Sequence, residues 1–310
     1  MQSGSISETS DHCASSVIKV IITARRKCKA NYRVKCKNSF KNLVKVSIEP
    51  TAHVASTKFS YLNAGSLKNK TFGLHDYIVS NHLDILAVTE TWLFPEDQQN
   101  LIYLTELLPH NYKICHIPRS NGQHAGGVAI VYRDSFLLDT VNSSNVADNQ
   151  INQFEFIDCN LRFNKKIVFR LLVVYRPPPS KKNKLKVKYF WKDWTKFLSD
   201  IILCHHDWII VGDLNFHLDD TNKYHSKRFC KILDEFGLVQ HIKHPTHTAQ
   251  HILDVLITPT DCSRIVQSSI VVHDPCISDN QGNLADSRHF AISWASKHMA
   301  KNKKQGNNLS

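Results

Sequence analysis

The sequence predicts an α+β protein in which two packed, mostly antiparallel β-sheets are flanked by helices. Three observations lead there. Eight to ten strand-like runs stand against only three or four helical ones. Neighbouring strand runs are joined more often by hairpin-length turns than by helical crossovers, whereas an all-parallel sheet needs a helix after nearly every strand. No repeat of roughly 20–50 residues points to a solenoid or propeller.

Each element follows from a local pattern. KFSYLNAG (Lys58–Gly65) reads as a strand ending in a small-residue turn. LHDYIVSNHL (Leu74–Leu83) sets Leu74, Ile78 and Leu83 at helical spacing, and DILAVTETW follows as a buried strand. NYKICHIP and GGVAIVYRD read as two strands joined by the turn-rich SNGQHAGG (Ser120–Gly127). FEFIDCNLRF and KIVFRLLVVYRPPP form a hairpin about Asn164 and Lys165, stopped by Pro177–Pro179. VKYFWKDWTKFLSDIIL (Val187–Leu203) carries apolar residues near i, i+3, i+4 and i+7, a helix in which Trp191 and Trp194 belong to the core. DWIIVGDLNFHLDD is a strand running into an acidic loop. FCKILDEFGLV (Phe229–Val239) reads as another helix, and ILDVLITP, RIVQSSIVVHD and HFAISW as three more strands.

Composition narrows the class. Of 310 residues, 42% are apolar and 21% charged, ordinary globular values for a chain long enough to bury a sizeable core. No apolar run approaches the roughly 18 residues of a membrane helix. MQSGSISETSDHC lacks the basic and apolar regions of a secretory signal. Nine cysteines without a C-x-x-C indicate neither a disulfide framework nor a zinc knuckle. The expectation is a reduced, intracellular protein, nuclear or cytoplasmic, neither secreted nor membrane-bound.

The net charge of +12 sits at the ends. Residues 1–58 hold 11 basic and three acidic side chains, and 295–310 add Lys297, Lys301, Lys303 and Lys304 with no acid. Between them, residues 59–294 hold 24 of each sign. The expected organisation is a basic, flexible leader over 1–57, one domain over 58–294 and a basic disordered tail over 295–310. ARRKCKANYRVKCK (Ala24–Lys37), with Arg25, Arg26 and Lys27 at its head, reads as a polyanion-binding or nuclear-targeting stretch, or else as a solvated arm.

Polar groups fall where strands end, the usual place for a site on such scaffolds. Asn63 closes the first strand, Glu90 ends DILAVTE, and Asp213 and Asn215 close WIIVGDLN. A carboxylate at a strand end is most often a cap or a surface charge, and Asn215 reads equally as a turn residue. Asp254 differs, because it sits inside the apolar ILDVL. A buried carboxylate without a partner costs on the order of several kcal/mol, so Asp254 calls for a donor or a metal. Glu90 with Asp213 suits a hard, oxygen-liganded cation such as Mg²⁺. An Asn beside them holds a water without adding charge, and a His steadied by an Asp acts at a phosphate oxygen. This is the inventory of phosphodiester hydrolysis.

The residues also carry a resemblance. In order along the chain stand N-A-x-S-L-x-N-K (Asn63–Lys70), TETWL (Thr89–Leu93), GGVAIVYR (Gly126–Arg133), VVYRPP (Val173–Pro178), GDLN (Gly212–Asn215), HPTH (His244–His247), ILD (Ile252–Asp254) and HFAI (His289–Ile292). Together they resemble the endonuclease/exonuclease/phosphatase family, most of all the apurinic-like endonuclease domain of non-LTR (LINE-type) retrotransposons, over about residues 58–294. The resemblance implies a four-layer α/β sandwich of the DNase I-like kind and nicking of DNA, with Mg²⁺ as cofactor and Mn²⁺ as the alternative ion. It implies Glu90 as principal metal ligand with Asn63 supporting it, Asp213 orienting or deprotonating the attacking water, and Asn215 holding the phosphate or that water. Tyr175 would donate to the phosphate or leaving oxygen, and Asp254 would pair with His289, which contacts the scissile phosphate. Arg176, Arg25, Arg26 and Lys27 are the expected DNA contacts, on a monomer with no obligate protein partner.

Two departures stand out. Gly65 replaces an Asp common in the cellular repair enzymes of the family, and Ser287-Arg288-His289 stands where Ser-Asp-His is expected. In the alternative alignment NQGNLADSR (Asn280–Arg288) is an insertion and Asp279 supplies the acid. The rivals to a nicking enzyme are an inactive nucleic-acid-binding remnant and a phospholipid or inositol-phosphate phosphoesterase of the same fold. His241, His244, His247 and His251 have metal-like spacing, but Pro245 breaks any helix and no H-E-x-x-H is present, so no zinc site is expected.

Overall fold

The computed structural model describes residues 56–95, 97–119, 125–141, 153–163, 166–203, 207–263, 265, 267–277 and 289–297. Arg25, Arg26 and Lys27, Asp279 and Arg288, and the C-terminal lysines from Lys301 on lie outside them. Strand β1 (Ser56–Asn63) leads through helix α1 (Thr71–Ser80) to β2 (Ile85–Thr89). Helix α2 (Asp97–Leu107) and strands β3 (Tyr112–Ile117), β4 (Val128–Arg133) and β5 (Phe136–Thr140) follow. Strands β6 (Glu155–Phe163) and β7 (Lys166–Tyr175) form a hairpin, and α3 (Val187–Ile202) crosses to β8 (Trp208–Asp213). Then come α4 (Tyr224–Glu235), β9 (Leu238–Gln240), β10 (Asp254–Pro259), a 3₁₀ turn (Gln267–Ser269), β11 (Val271–His273) and β12 (Ala291–Lys297).

These strands build two six-stranded mixed sheets, ordered β11-β12-β1-β2-β4-β3 and β5-β6-β7-β8-β10-β9. Only β1 with β2 and β7 with β8 run parallel, and a helix connects each of those pairs, as parallel neighbours require. The same succession occurs once in each sheet, β1-α1-β2-α2-β3-β4 and β7-α3-β8-α4-β9-β10.

Alternation of side chains along the strands makes the layers. Phe59, Tyr61, Ile85, Ala87 and Ile130 of the first sheet meet Leu171, Val173, Ile209, Val211 and Leu256 of the second in a core between the sheets. Leu62, Leu86 and Val88 point the other way, onto Leu74 and Ile78 of α1 and Leu107 of α2. Leu172, Val174, Ile210 and Val255 pack on Phe190, Trp191, Trp194 and Phe197 of α3 and Phe229 of α4. The result is the four-layer, DNase I-like sandwich that the sequence predicts, with both tryptophans in the core as expected. No helix among the described residues is long and apolar enough to cross a membrane.

Some elements differ from the expectation. Helix α2 was not anticipated: its Leu101 and Ile102 are exposed, so the segment shows no clean apolar stripe. The helix expected to run to Val239 stops at Glu235. Gly237, at φ +64°, turns the chain into β9, the usual way a glycine ends a helix. RIVQSSIVVHD is not one strand: Ile265 makes a lone bridge, the 3₁₀ turn at Gln267–Ser269 follows, and Val271–His273 forms the strand.

Candidate active site

The inward face of each central strand is apolar along its length and polar at one end. On β1 it reads Phe59, Tyr61, Asn63; on β2 Ile85, Ala87, Thr89; on β7 Leu171, Val173, Tyr175; and on β8 Ile209, Val211, Asp213. On β10 it reads Leu256 and Asp254. Register aligns the polar ends: Asn63 lies beside Thr89, Tyr175 beside Asp213, and Asp213 opposite Asp254. Gly212 permits this closure. A Cβ there would sit 1.8 Å from the Val174 carbonyl oxygen, so only glycine lets β8 draw up to β7 just before Asp213.

At the seam these groups form one connected network. Asn63 donates through Nδ2 to Glu90 Oε1 at 3.0 Å and to Asp213 Oδ2 at 2.9 Å, so a single amide bridges carboxylates from the two sheets. Its Oδ1 accepts the Gly65 N–H at 2.9 Å. Asp213 Oδ1 accepts the Asn215 N–H at 2.7 Å, and Asn215 Nδ2 donates to the Arg176 carbonyl at 2.9 Å. Beyond Asp213 stands His289, whose Nε2 is 3.9 Å from Asp213 Oδ2 and whose Nδ1 is 3.2 Å from Asp254 Oδ2. The Tyr61 hydroxyl donates to the other Asp254 oxygen at 2.9 Å. Tyr175 makes a hydrogen bond to Glu90, and the Trp92 indole donates to Glu90 Oε2 at 3.3 Å. Glu90, Trp92 and Asn215 all have φ near +50°, a left-handed conformation that is uncommon away from glycine and tends to cluster at functional sites.

The electrostatics follow from burial and charge crowding. Asp213 and Asp254 are both fully buried. Burial, then the neighbouring Asp254 charge, raises the Asp213 carboxyl well above the carboxylate range, although His289 and the donors from Asn215 and Asn63 pull it back. Burial alone would lower His289, but the hydrogen bond and charge of Asp254, helped by Asp213 and Glu90, push it up to about 9. Burial, followed by the Glu90 and Asp213 charges, keeps the Tyr175 hydroxyl protonated.

The donor set fits a hard divalent cation. Glu90 and Asp213 share one neutral amide, leaving an excess of negative charge that a dication relieves. Asp213, Asp254 and His289 also place possible ligand atoms within 4.8 Å of one another. Both Asp254 oxygens, however, are engaged by Tyr61 and His289, so that trio reads as a hydrogen-bonded relay and the Glu90 side as the place for a metal.

A second charged group braces the site from beneath. Arg119 pairs with Glu155, whose other oxygen accepts the Gly127 N–H at 2.6 Å, and its guanidinium lies 5.8 Å from the Tyr175 ring centre. The GG of GGVAI follows from the backbone, since Gly126 and Gly127 take φ +98° and +85°, where L side chains rarely sit. A Cβ on Gly126 would stand 2.5 Å from the Arg119 guanidinium, and one on Gly127 would stand 2.6 Å from Thr91 Oγ1.

Asn63, Glu90, Tyr175, Asp213, Asn215, Asp254 and His289 therefore gather in one place. Arg176 does not reach the surface, which corrects the expected DNA contact. It is 3% exposed, its guanidinium lies 4.0 Å from the Phe216 ring centre, and it donates to the Leu214 carbonyl at 2.9 Å. Tyr61, Thr246 and the Arg119–Glu155 pair were missed by sequence reasoning. Tyr61 had a signal, a hydroxyl on the buried parity of β1 two residues before Asn63. Thr246 lay inside the HPTH motif, but nothing in the sequence marked its partners: its Oγ1 accepts the N–H groups of Leu253 at 3.0 Å and Asp254 at 3.2 Å, a contact the fold alone creates. The histidines spaced like ligands diverge, His241 to Thr258, His251 to Asp219 and His247 to the Ala249 N–H.

The sequence profile of the endonuclease/exonuclease/phosphatase family matches residues 61–234, more than half of the chain and most of this site. The chain belongs to that family. Its members are hydrolytic phosphoesterases and nucleases, generally dependent on a divalent metal. No curated protein matches the chain. Among solved structures, the endonuclease domain of TRAS1, a telomere-specific non-LTR retrotransposon, superposes with a TM-score of 0.56 at 14% identity, covering 79% of this chain and 100% of that one. The AP endonuclease LMAP from Leishmania major gives 0.56 at 13%, covering 79% and 88%. The 3'-5' exonuclease NExo from Neisseria meningitidis gives 0.54 at 17%, covering 78% and 100%. At these identities the likeness is one of fold, and it agrees with the family assignment.

Proposed function

We propose that this domain is a Mg²⁺-dependent phosphodiesterase that nicks DNA, derived from a non-LTR retrotransposon and acting as an intracellular monomer. One observation carries the reading: Asn63 joins Glu90 and Asp213 across the seam while the Asp254–His289 pair stands on the far side of Asp213. A carboxylate side suited to a metal thus lies across Asp213 from a cationic His, whose Nε2 is 3.9 Å from Asp213 Oδ2. The TRAS1 domain and NExo, solved bound to a product DNA hairpin, support DNA as substrate. The wording of TETWL and VVYRPP supports the retrotransposon branch.

Glu90 and Asn63 would hold the metal, which when bound would neutralise phosphate charge and favour ionisation of water. Asp213, with a raised pKa and one oxygen fixed by the Asn215 N–H, takes the proton of the attacking water. Asn215 orients that water or the phosphate. His289, cationic at neutral pH, donates to a non-bridging phosphate oxygen, and Asp254 fixes its ring through Nδ1. Tyr175 offers its hydroxyl to the phosphate or leaving oxygen.

Conversion of supercoiled plasmid to open circle tests this. Nicking with Mg²⁺ that disappears in EDTA and in Glu90→Gln is expected. Nicking that persists in EDTA, or none from folded wild-type protein, would overturn it.

A further inference from the structure

Between β7 and α3 the chain reads Arg176-Pro-Pro-Pro-Ser-Lys181-Lys182-Asn183-Lys184-Leu185-Lys186, and α3 opens with Val187 and Lys188. Five lysines fall within eight residues, and no Asp or Glu occurs from Arg176 to Lys192. All five are exposed, and none has a carboxylate partner among the described residues. The overall neutrality of residues 59–294 conceals this concentration. Exposed lysines are ordinarily interspersed with acids, and an unbroken cluster repels itself unless a polyanion covers it.

The segment is also built. Asn183 Oδ1 accepts the N–H groups of Ser180 at 2.9 Å and Leu185 at 3.1 Å, while its Nδ2 donates to the Pro178 carbonyl at 2.8 Å. The Lys186 N–H donates to Gln153 Oε1 at 2.9 Å. The root of the loop is fastened to the site, since the Arg176 carbonyl accepts from Asn215. Lys181 lies six residues on from Tyr175, at most roughly 20 Å of chain. That is about six nucleotides of one DNA strand at about 3.4 Å each.

We propose that this loop is a docking surface for the sugar-phosphate backbone of duplex DNA, holding the strand several nucleotides from the bond cleaved. The identity of the polyanion rests on the function proposed above. The lysines contact phosphates as point charges and carry no sequence preference, so they set affinity and register rather than the chemical step.

The test compares the full chain with a Lys181→Gln/Lys182→Gln/Lys184→Gln variant, none of these residues belonging to the catalytic site. Binding to a short DNA duplex is measured in EDTA across a salt series. The slope of log affinity against log salt should become shallower by roughly 2.7, about 0.9 per lost phosphate contact. With Mg²⁺, KM for nicking should rise with kcat unchanged, and hydrolysis of bis-p-nitrophenyl phosphate should be unaltered. An unchanged slope overturns the proposal, as does a parallel loss against the small ester or weakened binding of polyglutamate but not of DNA. If the wild type proves unable to cleave either substrate, the function fails, and the salt slope alone still decides the docking surface.

Discussion

At Asp254 a carboxylate inside an apolar strand is held by two donors, the Tyr61 hydroxyl on one oxygen and His289 on the other. Tyr61 is fully buried and its pKa is raised well above the usual value by burial and by the charges of Asp254 and Asp213, so it remains a donor throughout the working pH range. Tyr61→Phe removes only that hydroxyl and leaves a buried carboxylate oxygen short of a partner, which costs about 1–3 kcal/mol. Denaturant unfolding should show that loss, and kcat should fall about tenfold with KM unchanged; an unaltered kcat would make Tyr61 merely structural. His289 makes a pH prediction. Its folded pKa, about 9, lies above the ordinary value of 6.5, so its contribution to stability is complete below about pH 6.5 and is lost as pH rises through about 9. Melting in chelator should show that decline in the wild type and its absence in His289→Asn. Asn63, Glu90, Asp213 and Asp254 were legible in the sequence because each interrupts or ends an apolar run. Tyr61 and Thr246 were not, because a hydroxyl near apolar residues is common and its partner lies about 190 residues away for Tyr61 and only across a loop for Thr246.

Strand ends and the turns after them do the positioning. Gly212 is required by what approaches it, the Val174 carbonyl oxygen, whereas Gly126 is favoured by its own backbone at φ +98°. Gly212→Ala should destabilise the domain by more than about 3 kcal/mol, among the larger single-residue effects, because the clash is with backbone and β8 cannot yield without leaving β7. Chemical denaturation measures this, and a loss under about 1 kcal/mol would mean the two strands separate at little cost. The loop carrying HPTH matters through Thr246, whose hydroxyl receives two strand N–H groups, and through the short antiparallel bridge between His247 and His289. Elements with strong periodicity, such as α3 and β8, could be read directly from the sequence. Helix α2 could not, since its apolar residues face both inward and outward. Strand β9 was absorbed into the preceding helix because FCKILDEF and GLV form one apolar-rich run, although Gly237 marked the break.

Across the whole molecule, the site exists only where the two sheets meet. Asn63 and Glu90 come from the first half of the strand succession, and Tyr175, Asp213 and Asp254 from the second. Carboxylates from the two halves therefore face each other, and a dication bound between them would tie the sheets together. Mg²⁺ should raise the melting temperature, by linkage equivalent to about 2.7 kcal/mol at a hundredfold excess over Kd, and Glu90→Gln should abolish that rise as read by thermal unfolding. The layered fold was visible in the sequence through hairpin-rich strands, whereas the pairing of the two halves depends on register that no local pattern encodes. The most direct measurement is the Mg²⁺-dependent nicking rate of Asp213→Asn beside wild type, with both proteins shown to be folded by melting. A fall of roughly 10²–10³-fold, the scale for removing a group acting at the transition state, is predicted. Activity within about tenfold of wild type would contradict the assignment of the cleaving centre to this seam.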